Sequence, residues 1–258
     1  MEDQNCVIGE NPTLKNSVVK FVGKNNILFC EKDVILVNSE IIFNGSNSLI
    51  YLSSNKHEYK LGVTINNNQV CFFGKHNYMN GKINIILSEE KHIFIGGDNL
   101  LSFGIWMRNA DPHLIYDSKT KKRINPTKSI FVGDHVWIGQ SALILKGTII
   151  GSGSIVGAMS VVSGITIPSN ECWGGVSAKR LKTGVFWEGS CVHSWTELKT
   201  QKSQIYEEDT YIYNKNLNNL TSYNEIDIQL SNAKTSNDKL GYILELVQIN
   251  EKNRFAIL

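Results

Sequence analysis

Residues 132–167 form six consecutive hexapeptides, and this period constrains the fold more than any other feature of the chain. Divided every six residues, the segment reads VGDHVW, IGQSAL, ILKGTI, IGSGSI, VGAMSV and VSGITI. Each hexapeptide begins with a β-branched aliphatic residue: Val132, Ile138, Ile144, Ile150, Val156 and Val162. An α-helix repeats every 3.6 residues and a strand every two, so neither produces a clean period of six.

A coil with three flat faces of about six residues each explains this period. The aliphatic side chains would point inwards and stack on their counterparts one coil along, about 4.8 Å away. Small or β-branched residues at the fifth position, and glycine at the second, allow the backbone to turn at the corners. The pattern predicts a mainly β protein, a left-handed parallel β-helix.

Four earlier segments carry a degenerate form of the repeat. They read VGKNNI at 22–27, NGSNSL at 44–49, FGKHNY at 73–78 and IGGDNL at 95–100, at intervals of 22, 29 and 22 residues. Each interval is interpreted as one coil of about 18 residues plus a small excursion. Asparagine tolerates the left-handed backbone that tight corners use. We therefore expect one β-helix domain over residues 1–185.

Two parts of the chain depart from the repeat. Residues 105–125, IWMRNADPHLIYDSKTKKRIN, are too long and too polar to form one face, so they predict an extruded loop. Residues 186–258 contain no hexapeptides and predict a C-terminal α/β appendage. Within it, capping residues followed by apolar residues at helical spacing predict a helix near 236–250. This appendage could cap the open end of the solenoid.

Composition excludes several classes of protein. The net charge of +2 shows no strongly basic character, so nucleic acid is not an expected partner. The five cysteines are scattered and form no CxxC, which argues against a zinc site and a disulfide framework. We expect no metal. The N-terminus resembles no signal peptide, and no apolar run could form a transmembrane segment, so a cytoplasmic location is expected.

His113 is the candidate catalytic residue, two positions after Asp111 in the extruded loop. A histidine near neutral pKa suits general-base catalysis, and Asp111 could fix its tautomer. The alternative is an ordinary exposed loop residue. Trp137, at the sixth position of a repeat, should project outward towards a ligand or a neighbouring subunit. His135, at a fourth position, is expected on the surface or at an interface.

Basic residues cluster in the loop and after the last coil. Such clusters are usually solvated, yet they suit anions such as coenzyme A phosphates or an acidic sugar polymer. Arg108, Lys121 and Arg123 are the candidate acceptor-binding residues, and Lys179 and Arg180 the candidate phosphate-binding residues. No GxSxG is present and no cysteine adjoins a histidine, which favours direct transfer over a covalent intermediate.

Residues 95–184 resemble the hexapeptide acetyltransferases, and most of all the bacterial capsule polysialic acid O-acetyltransferases of the meningococcal serogroup W/Y type. The resemblance rests on IGGDNLLSFGIWMRNADPHLIYD, HVWIG, VGAMSVVSG and GGVSAKRLK, and covers about a third of the chain. The chain departs from the family pattern at Ser177 and at Lys146, where the family usually has proline.

The resemblance implies roles for particular residues. His113 would be the base, Trp137 would help to form the active site, and the amides of Gly157 and Ala158 would bind pantetheine. Ser177, Lys179 and Arg180 would lie near the coenzyme A nucleotide. The resemblance also implies acetyl-CoA as donor and a homotrimer with active sites between subunits.

The resulting hypothesis is an acetyl-CoA-dependent O-acetyltransferase that modifies a hydroxyl of an anionic capsular polysaccharide containing sialic acid, with His113 as general base. Two alternatives remain open from the sequence. One is an N-acetyltransferase on an amino sugar, and the other is a non-catalytic, glycan-binding solenoid.

Overall fold

Three parallel sheets form the faces of a triangular solenoid, and successive coils add strands to each face. The computed structural model describes residues 4–214, 221–249 and 251–257. Face 1 consists of β1 (Cys6–Gly9), β4 (Ile27–Cys30), β7 (Leu49–Leu52), β9 (Val70–Phe73), β12 (Ile93–Ile95), β15 (Ile130–Val132), β18 (Ile149–Ile150) and β21 (Thr166–Ile167).

Face 2 begins with a separate pair, β2 (Thr13–Lys15) and β5 (Ile35–Val37), and continues with β10 (Tyr78–Met79), β13 (Leu100–Leu101), β16 (Trp137–Ile138), β19 (Ile155–Val156), β22 (Glu171–Gly174) and the antiparallel β23 (Lys179–Thr183). Face 3 consists of β3 (Val18–Phe21), β6 (Glu40–Phe43), β8 (Leu61–Ile65), β11 (Ile83–Ile86), β14 (Trp106–Arg108), β17 (Leu143–Leu145) and β20 (Val161–Ser163). These faces make about seven turns.

The period of six is the period of inward-pointing side chains. All six first-position aliphatic residues of 132–167 are fully buried inside the prism. Val132 pairs with Ile150 one coil along, and Ile138 pairs with Val156, so each stack repeats every 18 residues. The left-handed parallel β-helix predicted from the repeats is therefore confirmed.

The early coils are longer than the late ones, and their glycines belong to two different corners. Cys6 pairs with Ile27 and Leu49 with Val70, which gives coils of 21 residues. Gly23 and Gly45 follow face 3, whereas Gly74 and Gly96 follow face 1. The interval of 29 residues is thus one coil plus one face, and the prediction of one equivalent series was wrong. The segments look alike because corners on both sides use glycine and left-handed asparagine or aspartate.

The loop begins later than the sequence predicts. Residues 105–108 belong to a coil, because Trp106 pairs with Leu143 and the side chains of Ile105 and Met107 point into the core. The extruded segment, called the His113 loop below, therefore spans residues 109–129. Ile93 pairs with Ile130 across it, so the solenoid resumes in register after the insertion.

The C-terminal appendage packs along the side of the solenoid. Its helices are α1 (Glu197–Lys202), α2 (Tyr223–Asn232) and α3 (Ser236–Leu246), and Thr235 and Asp238 form a capping box before α3. Apolar residues of α2 and α3 cover aromatic side chains on the outer side of face 1. The expected cap on the open end was wrong, because these exposed face-1 aromatic rings are what the amphipathic helices can bury.

The helix expected near 236–250 begins at Ser236 as predicted and ends at Leu246. Asn250 lies outside the described residues. The strand content expected for the appendage is not found in residues 186–214, 221–249 and 251–257, which hold helices and irregular backbone. Within the described ranges, no helix has the length and apolar character needed to cross a membrane.

Candidate active site

The outer half of the His113 loop is a small hairpin. Tyr116 and Arg123 form an antiparallel bridge, and the Ile124 N–H donates to the Ile115 carbonyl at 2.9 Å. At the turn, the Asp117 carboxylate accepts hydrogen bonds from the Thr120 amide and hydroxyl at 2.7 and 2.8 Å. His113 precedes this hairpin and is exposed, so its imidazole is accessible to a substrate.

Asp111 does not orient His113 in this structure. Its Oδ2 atom accepts from Lys146 Nζ at 2.5 Å and from Asn125 Nδ2 at 3.0 Å. The hydrogen bond from Lys146, followed by that from Asn125, lowers the pKa of Asp111. The expectation that Asp111 fixes the His113 tautomer is therefore corrected: the Lys146 ammonium, which stands where the family usually has proline, is a stronger partner for the carboxylate.

The three candidate acceptor-binding cations have different surroundings. Arg123 makes a bidentate ion pair with Glu89, both nitrogen–oxygen distances being 2.8 Å. This pair lowers the pKa of Glu89 to about 2, with a further contribution from Thr127. The Arg123 guanidinium is thus committed to Glu89, contrary to its expected role in binding the acceptor. Lys121 lies exposed at the hairpin turn, and Arg108 ends β14 half-buried on face 3.

Trp137 projects outward from face 2, as its sixth position predicts, and 39% of its surface is exposed. The ring of Trp187 lies beside it, with centroids 6.2 Å apart. Trp187 also stacks on His135 at 4.1 Å, and Tyr211 stacks on the opposite side of the imidazole at 4.3 Å. His135 is consequently buried, with 7% of its surface exposed, and the prediction of a surface residue was wrong. Burial lowers the pKa of His135.

One corner of the late coils is lined by small residues. It joins face 2 to face 3 through residues 139–141, 157–159 and 175–177, and is called the glycine corner below. A Cβ atom on Gly139 would lie 2.5 Å from the Ala158 nitrogen, so the neighbouring backbones are close. The Val176-Ser177 peptide bond is cis. Exposed apolar side chains of Met159 and Val176 flank the corner.

The two candidate phosphate-binding residues lie just beyond the glycine corner on β23. Lys179 and Arg180 are both exposed, and Arg180 lies 3.6 Å from the Glu171 carboxylate. Glu171 also accepts from the Trp173 indole nitrogen at 2.7 Å. The Arg180 contact is long and mostly solvated, so its guanidinium remains available to an anion.

The site residues are distributed over three places on one chain. The His113 loop leaves the corner between faces 3 and 1, Trp137 lies on face 2, and Gly157, Ala158 and Ser177 lie on the glycine corner. Asp111 and His113 share one loop, and Lys179 and Arg180 share one strand. No group of side chains in residues 4–214, 221–249 and 251–257 has the arrangement of a metal site.

Sequence reasoning missed three residues that shape this region: Asn125, Lys146 and Trp187. Lys146 was visible as a departure from the family pattern, but its partner Asp111 lies 35 positions away. Trp187 falls just beyond the repeats, in the segment interpreted as an appendage. Asn125 stood at the end of the predicted loop, and no local pattern distinguished it from other asparagines.

Comparisons with known proteins agree with this geometry. Residues 129–164 match the family described as bacterial transferase hexapeptide (six repeats). A 59-residue stretch is 42% identical to polysialic acid O-acetyltransferase of Neisseria meningitidis, which is 23% of this chain and 26% of that protein. The chain thus matches about a quarter of the length of this curated relative. Its repeats and fold place it in the hexapeptide-repeat family.

Two crystal structures extend the similarity beyond the repeats. The polySia specific acetyltransferase NeuO is 27% identical with a TM-score of 0.65, over 77% of this chain and 93% of NeuO. The polysialic acid O-acetyltransferase OatWY is 24% identical with a TM-score of 0.58, over 79% of this chain and 100% of OatWY. The second similarity concerns the fold.

Proposed function

We propose that the protein is an acetyl-CoA-dependent O-acetyltransferase that modifies a hydroxyl of a capsular polysaccharide containing sialic acid. The observation that carries this proposal is the His113 loop, which presents an exposed histidine from a solenoid whose strands pair in register across the insertion. A scaffold that needs only stability gains nothing from such a loop. The similarity to the polySia specific acetyltransferase NeuO supports the choice of acceptor.

In the proposed reaction His113 acts as general base. Its neutral imidazole takes the proton from the acceptor hydroxyl as the oxygen attacks the thioester carbonyl of acetyl-CoA. A new carbon–oxygen bond forms, the carbon–sulfur bond breaks, and the coenzyme A thiolate receives the proton from the imidazolium. The acetyl group passes directly to the sugar, with no covalent acyl-enzyme.

The glycine corner is the proposed binding site of the donor. Small residues at Gly157 and Ala158 let the pantetheine arm approach the backbone amides, and the exposed side chains of Met159 and Val176 offer it apolar contact. Ser177 lies on the same corner. Lys179 and Arg180, on the adjoining strand, would neutralise the phosphates of the nucleotide.

The acceptor is proposed to contact Trp137, Arg108 and Lys121. A sugar ring can pack against the exposed indole of Trp137, and the two cations suit the carboxylates of an anionic glycan. Because the His113 loop and the glycine corner lie on different corners of one chain, we propose that a homotrimer brings the loop of one subunit to the donor on the next. Acetyl-CoA is made in the cytoplasm, where we place the reaction.

The test of the proposed function is a comparison of His113→Ala with His193→Ala, which removes another exposed histidine outside the loop. Release of coenzyme A from acetyl-CoA is measured with sialylated and neutral glycans as acceptors. We expect His113→Ala to keep the wild-type melting temperature and to lose at least ~100-fold in kcat, while His193→Ala keeps full activity.

Near-normal turnover by His113→Ala would show that the base lies elsewhere. Wild-type protein that transfers acetyl to none of these glycans would refute the proposed acceptor. Treatment of the product with mild base separates the alternatives, since it cleaves an O-acetyl ester and leaves an N-acetyl amide. Protection from heat unfolding by coenzyme A is expected for the enzyme and not for a glycan-binding solenoid.

A further inference from the structure

The backbone around His113 has very few hydrogen bonds of its own. Among the described residues, those that reach residues 110–114 come from the side chains of Asn125 and Lys146. Lys146 contacts the Asp111 side chain, whereas Asn125 contacts the His113 carbonyl itself. The orientation of the His113 backbone therefore depends on one amide side chain.

The Asn125 side chain connects three points around His113. Its Nδ2 atom donates to the His113 carbonyl at 2.8 Å and to Asp111 Oδ2 at 3.0 Å. Its Oδ1 atom accepts from the Ile115 N–H at 2.9 Å. Only 6% of Asn125 is exposed, so water does not readily replace these partners. Donors and acceptors on both sides fix the orientation of the amide.

Asn125 is in turn held against the solenoid. Its main-chain carbonyl accepts from Lys146 Nζ at 3.2 Å and from Arg123 Nη2 at 3.1 Å. Arg123 is anchored by its bidentate pair with Glu89, which belongs to an earlier coil. A continuous set of polar contacts therefore joins the rigid coils to the carbonyl of His113.

We propose that Asn125 is a positioning residue for the transfer reaction, which holds the His113 backbone so that the imidazole meets the acceptor hydroxyl. The proposal rests on the proposed function, since it assumes that His113 is the base. Asn125 contacts neither substrate and acts through His113. Because displacement of a catalytic group by about 1 Å can reduce turnover ~100-fold, loss of this amide should lower kcat strongly.

The decisive variant is Asn125→Asp, which is nearly isosteric. It retains an acceptor for the Ile115 N–H, but it replaces the donor that faces the His113 carbonyl with a carboxylate oxygen. We expect a fall of ~10- to 100-fold in kcat, with KM for acetyl-CoA and protection by coenzyme A unchanged. Asn26→Asp is the matched control, because Asn26 is a fully buried corner asparagine with similar contacts to Asn5, Gly45 and Ser48.

The double variant Asn125→Asp/Asp111→Asn separates positioning from stability. It restores an amide–carboxylate pair between the two positions and should recover melting temperature, but the His113 carbonyl still lacks its donor. We expect its kcat to stay low. Recovery of kcat together with stability would overturn the positioning role, as would wild-type kcat in Asn125→Asp. An equal fall of kcat in Asn26→Asp would also overturn it.

Failure of this proposal is distinguishable from failure of the proposed function. If His113→Ala loses activity and Asn125→Asp does not, His113 is the base and Asn125 does not position it. If His113→Ala remains active, the base itself has been assigned wrongly.

Discussion

Gly139→Ala tests whether the glycine corner binds acetyl-CoA. A Cβ atom at Gly139 would lie 2.5 Å from the Ala158 nitrogen and 2.8 Å from the Gly157 carbonyl carbon. The first distance is about 0.9 Å shorter than ordinary van der Waals contact, which begins near ~3.4 Å. Both neighbours are main-chain atoms, so the methyl group must displace the backbone that is proposed to hold the pantetheine arm.

The expected result has two components. Overpacking should lower the free energy of unfolding by ~1–3 kcal/mol, and a chain of this size loses ~2–4 °C in Tm for each kcal/mol. Displacement of the donor-binding amides by nearly 1 Å should also raise KM for acetyl-CoA ~10- to 100-fold. Initial rates at varied acetyl-CoA, and the Tm shift produced by coenzyme A, measure the second component.

Gly133→Ala is the matched control. Its Cβ atom would lie 2.7 Å from the Ser152 nitrogen, a similar backbone clash on the corner between faces 1 and 2. Both variants should lose stability, and only Gly139→Ala should lose affinity for acetyl-CoA. If Gly139→Ala is destabilised but keeps the wild-type KM, or if both variants raise KM alike, the assignment of the glycine corner is refuted.

Two further predictions concern the pH dependence of stability. Burial lowers the pKa of His92 to about 3. Because an unfolded histidine titrates near ~6.5, the unfolded state takes up the proton first, and stability should fall by up to ~1.4 kcal/mol per pH unit below that value. His92→Asn keeps an acceptor for the Val70 N–H and should flatten this slope in denaturant titrations at pH 7 and 5; parallel slopes would contradict the reasoning. The pKa of Glu89 is lowered to about 2, so its stabilising contribution is complete above pH ~4.5 and is lost as the pH falls towards 2. Glu89→Gln should remove that acid-dependent loss, and an unchanged acid transition would argue against the Arg123 pair.

Local pattern was sufficient for the scaffold and insufficient for the site. Val132 and its five equivalents could be assigned to the core from sequence, because their period directly reflects inward-pointing side chains. Trp137 could be assigned to the outer surface by the same rule. His135 could not, since its burial comes from Trp187, 52 positions later, which stacks on its ring and accepts from it. A repeat pattern carries no information about a partner outside the repeat.

The same limit applies to the His113 loop. Its existence followed from the interruption of the period, and the candidate base from the chemistry of histidine. The partner of Asp111 did not follow, because Lys146 lies on the next coil and becomes a neighbour only when the solenoid stacks. The clasp on the end of the loop, in which the hydroxyl of Ser129 donates to Asp227 of α2, joins residues 98 positions apart.

The sequence by itself therefore determined the period, and with it the triangular coil, the buried stacks and the place where the coil is interrupted. These features depend on short-range geometry, since each side chain's direction is set by its position within six residues. Only the tertiary structure decided that the C-terminal helices cover face 1, that Asp111 pairs with Lys146 and that Asn125 holds the His113 backbone. Those contacts join distant parts of the chain, and their energies depend on burial and distance that arise only after the coils have stacked.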